Sequence, residues 1–345
     1  MRRLVYLAFV MLLAVLASSC QRRGFSEHTS PVNLKIKIVT DMQFPESATI
    51  PDMVRVDLFN PQTGRVEYTD YLPATGGYIY PRPGTYNMLV YNIGTESTIV
   101  RNENDLEMVE AYTNEVSAYL KNQLKSFLET RFQMREEKAA AAGSSDEGTD
   151  SKGIPTKDPI LEGNERIVNE PDYLWVSRMD NVDIPALALD EDRDITLYVE
   201  AVPVVETWEM IVKPVEGLQW VSNVKALITG QVESTYIGKV EDSKEVVTIY
   251  FEMEKDVEGK RLVGKFNTFG KNPLYLSFLS LDINIIDNLG NEHHYHFDVT
   301  EDFFDNPEFV IDVENPIVIE EPKIEGGGFS PSVSDWEDVI TNIEL

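Results

Sequence analysis

Two β-sandwiches, the first carrying a helical insertion, form the all-β architecture that this sequence predicts. Three observations carry that expectation. Short segments alternate apolar and polar residues at the period of a half-buried strand. Clusters of Pro, Gly, Asn and Asp separate them as turns. Between Asn104 and Ala142 alone, the apolar spacing changes to three, four and seven, which suits a helix.

Taken in order, LKIKI at 34–38 places Leu34, Ile36 and Ile38 on one face and Lys35 and Lys37 on the other. VRVDL at 54–58 points Val54, Val56 and Leu58 inward, and NPQTG at 60–64 is a turn. PRPGTYNMLVYN at 81–92 is a Pro/Gly turn feeding a strand with Tyr86, Met88 and Val90 on one side. Strict alternation gives one wet and one buried face, as in antiparallel sandwiches. The stretch from Asp105 places Leu106, Val109, Val116, Leu120, Leu124, Phe127 and Phe132 on a helical stripe. That stripe suits a helix packed on a sheet edge, with its start open to a strand around Ala111 to Thr113. AGSSDEGTDSKG at 142–153 is a polar linker with no apolar anchor, and residues 139–165 are expected to be dispensable for folding.

Strands resume at YLWV (173–176) and DITLYVEAVPVV (194–205), where Pro203, lacking an N–H for the ladder, ends the run. A boundary is placed at about 204. Beyond it, seven or more short strands without helices predict a second sandwich, with DNLG at 287–290 as a hairpin turn. Trp208, alternating with Met210 and Val212, is expected in its core. After GGGFSPS at 326–332, the tail alternates Val339, Thr341, Ile343 and Leu345 against Ile340, Asn342 and Glu344. Trp336, Val339, Ile343 and Leu345 are the candidate residues of a pairing tail strand. It either completes its own sandwich or is donated to a neighbouring subunit. The domain reading is therefore 32–204, with the helical and low-complexity insertion at about 105–165, and 205–345 including the tail.

Charge narrows the partners. The chain carries 59 Asp and Glu against 30 Lys and Arg, a formal net charge of −29. A surface of that sign repels nucleic acid and anionic lipid head groups alike. Membrane contact must come from elsewhere, and the N-terminus supplies it. Arg2 and Arg3, the apolar run Leu4 to Leu16 and the small residues Ala17 to Ser19 have the layout of an export signal, residues 1–19. Cys20 follows at once and is the only cysteine, so it has no partner for an internal disulfide. Its setting resembles a lipoprotein box, although Leu16 stands one residue further from it than the usual leucine. The resemblance implies a diacylglycerol on the sulfur, a third acyl chain on the new N-terminus and a short lipidated linker, 20–31. Gln21, rather than Asp, implies an outer-membrane, lipid-anchored location facing the cell surface. The rival is ordinary cleavage that leaves a free thiol.

Few residues suggest chemistry. No Gly-rich phosphate loop, GxSxG elbow or HExxH helix is present. His294, His296 and Asp298 share one face of the strand HHYHFDV and are weak metal candidates. The alternative is an exposed polar face, and no cofactor is expected. The acidic clusters at 190–194 and 301–306 match no EF-hand loop. Among 59 carboxylates, no spacing singles out a glycosidase pair.

Together the motifs resemble the fimbrillin-like lipoproteins of Bacteroidales-type bacteria. The resemblance is carried by SSCQRR, by LKIKI, by PRPGTYNMLVYN, by GLQWVSNVKALITG and by the closing GGGF with VSDWEDVITNIEL. It implies two transthyretin-like Greek-key sandwiches on a lipid anchor, acting as a non-enzymatic pilus anchor, accessory subunit or adhesin. In that family, stalk subunits assemble by strand addition after a protease trims the first strand behind a basic residue. Arg55 lies inside an alternating strand and Arg65 just after a turn, so an anchor that keeps its first strand is the expectation. Two other functions stay open: a glycan-binding lipoprotein, marked by an exposed aromatic platform, and a β-sandwich hydrolase, marked by two facing carboxylates.

Overall fold

A computed structural model describes residues 29–40, 50–142, 160, 165–186, 195–272, 279–303 and 306–323. Cys20 and the tail residues Trp336, Val339, Ile343 and Leu345 lie outside the described residues. The chain is mostly β. In its first part run β1 (Val32–Ile38), β2 (Met53–Phe59), β3 (Val66–Pro73), β4 (Gly76–Ile79) and β5 (Gly84–Asn92). A connecting segment follows with β6 (Thr98–Arg101), β7 (Glu110–Thr113), α1 (Ala118–Gln123), α2 (Lys125–Ala142) and β8 (Ile167–Asn169). Next come β9 (Trp175–Ile184) and β10 (Ile195–Pro203). The remainder holds β11 (Glu206–Glu216), β12 (Val221–Val232), β13 (Ser234–Tyr236), β14 (Glu241–Asp242) and β15 (Val246–Asp256). It closes with β16 (Arg261–Thr268), β17 (Ser280–Asp287), β18 (Glu292–Asp298) and β19 (Val310–Val318).

Seven strands hydrogen-bond in the order β3-β2-β5-β9-β10-β1-β4. β9 and β10 share only the pairs Val176–Val202 and Trp175–Pro203. The ribbon folds there, setting β4-β1-β10 against β3-β2-β5-β9 and bringing β3 beside β4. Alternation decides what fills the space between. Val32, Leu34, Val54, Val56, Leu58, Met88 and Val90 are buried together, joined by Ile36, Tyr86, Val182, Ile184 and Val199. Each inward face read from LKIKI, VRVDL and TYNMLV is thus the core face, with Ile38 half-buried at its rim.

β1 is the keystone of this layer. It pairs in parallel with β10 (Leu34–Leu197, Ile36–Val199) and antiparallel with β4 (Leu34–Gly77). Gly76 has φ +102°, and a Cβ there would run into the Leu34 carbonyl, so glycine is required for β4 to close on β1. Leu34→Ala is expected to cost about 2–5 kcal/mol, the range for truncating a fully buried leucine. Thermal or urea melts would measure it, and a loss below about 1 kcal/mol would show that β1 contributes little to the fold.

The second layer pair has the order β18-β17-β12-β15-β16-β11-β19. β15 pairs with β12 through Val246–Glu252 and with β16 from Met253 onward, so one strand serves both sheets. Trp208, Met210 and Val212 lie in this core with Phe251, Phe266 and Phe303. β10 ends at Pro203, as its missing N–H requires.

The connecting segment departs most from the alternation pattern. Residues 105–117 are not helical. β7 pairs with β6 and also with β13 of the second part, in a small sheet β14-β13-β7-β6. Glu110 on β7 accepts from Arg101 at 2.7 Å and from Ser234 Oγ at 2.5 Å. Helix starts only after Ser117, whose hydroxyl accepts from the Leu120 N–H at 3.1 Å and caps α1. Val109 and Ala111, with Phe59, Leu89, Tyr91, Val232, Ile237 and Phe269, form a third apolar cluster. That cluster covers the outer face of β2 and β5 and packs the two parts together.

The expectation that 139–165 is dispensable needs correction at both ends. α2 continues to Ala142, Ile160 is 5% exposed, and Glu165 bonds Arg131 and Thr248.

Candidate functional site

Arg55, read as a poor protease site, and the histidine strand, a weak metal candidate, both lie in packed polar networks. Arg55 projects from the outer face of β2. Its Nε donates to both Asp57 oxygens, at 3.1 and 2.9 Å, and its Nη1 lies 2.6 Å from Glu103. The Tyr71 and Tyr91 rings flank the guanidinium at 5.9 and 6.0 Å. Tyr91 in turn donates to Glu103 at 2.9 Å, and burial pushes its phenol well above the usual range. Burial likewise raises the Asp57 carboxyl, against the pull of Thr69 and Arg55. The Arg55 side chain is only 11% exposed, and its peptide is the middle of a paired strand. Arg65 is the contrast: its side chain is 66% exposed and reaches Asp105 only at 3.6 Å.

The face carrying His294, His296 and Asp298 meets α2. β18 is the edge strand of the second sheet, and α2 packs along it, at a sheet edge as the apolar stripe predicts. The Phe127 ring stacks on His294 at 5.4 Å, nearly parallel. His296 Nδ1 donates to Asp282 at 2.6 Å. Asp298 lies at the exposed end of the strand. Among the described residues, no group of three His, Cys, Asp or Glu is placed to hold a metal ion.

Two arginines supply what the sequence stripe did not suggest. Leu124, at the joint between α1 and α2, and Phe127, in the first turn of α2, begin a buried face. Arg131 and Arg135 continue that face at spacings of four, whereas Phe132 turns 37% outward. Arg131 Nε donates to Asp282 Oδ2 at 2.6 Å and its Nη1 to Glu165 at 2.5 and 2.7 Å. Arg135 donates to Asp282 at 3.3 Å and to Ser280 Oγ. Burial by itself would raise the Asp282 carboxyl. Arg131, His296 and Arg135 outweigh it and hold the group well below the ordinary carboxylate range. The spacing 124, 127, 131, 135 was available as a signal, but arginine on a helix is normally a solvent-facing residue.

A cleft of about 650 Å³ opens where the two parts meet, lined by Asn92, Ser97, Glu170, Asp172, Tyr173 and Asn267 among others. Four carboxylates line it, Asp52, Glu96, Glu170 and Asp172. Glu170 accepts from the Asn267 N–H at 3.0 Å, and Asp172 from Ser97 and Thr98 at 2.5 and 3.0 Å. These two brace loops through the backbone.

Paired sheets with separate apolar cores, braced by buried polar networks, define a β-built protein of sandwich type. The chain belongs to the family described as a domain of unknown function, DUF5119, whose model matches residues 19–252. A curated relative, Fim4B of Bacteroides ovatus, bears the name of a candidate fimbrium anchoring subunit. It is 28% identical over 254 residues, covering 72% of this chain and 60% of the relative. The chain thus matches about 60% of that relative's length. A crystal structure of a candidate adhesin from Bacteroides ovatus is similar in fold, with TM-score 0.56 and 22% identity over 88% of this chain and 98% of that one. The fimbrial anchor Mfa2 of Porphyromonas gingivalis is a more distant likeness, at TM-score 0.43 and 12% identity over 84% and 90%. The named relative agrees with the resemblance read from the motifs.

Proposed function

We propose that this chain is a non-enzymatic surface lipoprotein that anchors a fimbrium, or serves it as an accessory subunit, held in the outer membrane through acyl chains on Cys20. One observation carries the reading: β1 is paired on both sides and fully buried on its inner face, and the first arginine after it, Arg55, is locked in an ion network. No Lys or Arg stands between Val39 and Asp52, the link from β1 to β2. A protease specific for basic residues has no site in that link, and the reading requires that the exposed Arg65 beyond β2 is left uncut, so that the first strand stays and no groove opens for a neighbour's strand. A subunit of this kind terminates a chain of strand donors. We further take the two cores as two transthyretin-like domains, 32–204 and 205–345, the first carrying the insertion at about 105–165, which docks on the second. The separate apolar clusters of the two sheets support that division.

The test is twofold. Chain recovered from its native membrane is expected to begin at Cys20 with β1 intact, and cells lacking the chain to shed fibres into the medium. A mature N-terminus at Val56 or Val66, or fibres that stay cell-bound without the chain, would refute the anchoring role.

Tail pairing follows from the same reading. With an apolar alternating face, the tail is expected to complete the second domain. Deleting residues 333–345 should then lower that domain's stability by several kcal/mol, on the scale of a lost Trp with aliphatic anchors. An unchanged melting curve with lost higher-order assembly would instead assign the tail to a neighbour.

A further inference from the structure

The two outer faces of the first sandwich differ. The face of β2 and β5 is covered by the third apolar cluster. The face of β4-β1-β10 is open, and side-chain alternation decides what it shows. β1 presents Asn33, Lys35 and Lys37 in its middle row. β4 presents Tyr78 opposite Asn33, and β10 presents Thr196 opposite Asn33 and Tyr198 opposite Lys35. Tyr198 is 76% exposed and Tyr78 43%, with Tyr80 (53%) just beyond β4.

Two aromatic side chains therefore flank a polar row across three paired strands. Two strand spacings and a two-residue offset put the Tyr78 and Tyr198 backbones about 12 Å apart, roughly two to three pyranose units. Exposed tyrosine rings offer a negative π face to the slightly positive C–H groups of a sugar. The groups between them supply donors and acceptors: the Asn33 amide, the Thr196 hydroxyl, the Lys35 ammonium and the Glu200 carboxylate. Lys37 and Glu200 are fixed against each other at 3.0 Å, whereas among the described residues Lys35 has no acidic partner. A protein partner fits this face poorly. Protein interfaces have apolar centres depleted of charge, whereas here the centre is Asn and Lys, and Val202 at the end of β10 is the one exposed aliphatic of the strand.

We propose that the outer face of β4-β1-β10 is a carbohydrate-binding platform, with Tyr78 and Tyr198 stacking on a linear polysaccharide and Asn33, Lys35 and Thr196 bonding its hydroxyls. The middle row belongs to β1, so the platform exists only while that strand stays in place. The site goes beyond the anchoring reading and does not require it.

Affinity electrophoresis of the full mature chain through gels containing soluble xylan, mixed-linkage β-glucan, mannan or polygalacturonate tests it. At least one polymer is expected to retard the chain. Tyr198→Ala and Tyr78→Ala should each weaken retardation about tenfold, as expected for one stacked ring. Tyr119→Ala, an equally exposed ring on α1, should leave retardation unchanged. Circular dichroism on each variant separates lost binding from lost fold, and Tyr198→Phe, which keeps the ring, should retain binding if the fold is disturbed by alanine. No retardation by any of the four polymers overturns the proposal, as does retardation that survives in the folded Tyr78→Ala, Tyr198→Ala double variant. Fibre shedding in cells is read separately, so either idea can fail alone.

Discussion

Asp282→Ala is expected to cost about 3–5 kcal/mol, the penalty for breaking a buried ion pair from one side. The side chain is 3% exposed and faces both Arg131 and Arg135, which would be left without their shared carboxylate. Glu165 still engages Arg131, and Ser280 still accepts from Arg135. Urea unfolding would give the change in stability, and hydrogen exchange should show α2 losing protection before the β11–β19 sheets. A change under about 1 kcal/mol would mean that the apolar contacts of Leu124 and Phe127 alone hold the helix. Acid should act in the same direction. The folded Asp282 carboxyl is held below its unfolded value, so its contribution is complete above the unfolded value of about 4 and declines as pH falls below it. Burial holds His294 below the usual imidazole value, so protonation in the unfolded chain adds a loss that begins nearer pH 6.5. The helix is thus expected to loosen stepwise on acidification.

The second large effect concerns location. Cys20→Ala is expected to move the chain from the membrane fraction to the soluble one. Each buried methylene contributes about 0.8 kcal/mol, so two or three acyl chains make association nearly irreversible, and no helix among the described residues is long and apolar enough to replace them. Unchanged sedimentation with membranes would refute lipid anchoring.

The sequence made some of this legible for a physical reason. Where one strand face is wet and the other dry, period two exposes the core directly, as with Leu34, Val56, Met88 and Trp208. The pairing of β1 with β10 was not legible, because strand order depends on contacts far apart in the chain. The buried face of α2 was half legible. Its apolar part follows from spacing, but the inward turn of Arg131 and Arg135 depends on carboxylates contributed by Asp282 and Glu165. For the same reason His296 offered itself as a ligand, when its partner is a carboxylate on the next strand. The aromatic platform was invisible for a related cause: Tyr78 and Tyr198 become neighbours only through β1.

The parallel pairing of β1 with β10 also has a temporal consequence. Lys37 and Glu200, which meet across those strands, are separated by 163 residues. The chain is made N-terminus first, so β1 emerges long before its partner does. During that interval Val32, Leu34 and Ile36 form an unsatisfied sticky edge. Closing so long a loop is entropically slow, and it comes late in folding. The first layer therefore matures only once β10 has been made, and in the meantime the N-terminal strand is open to pairing with other chains.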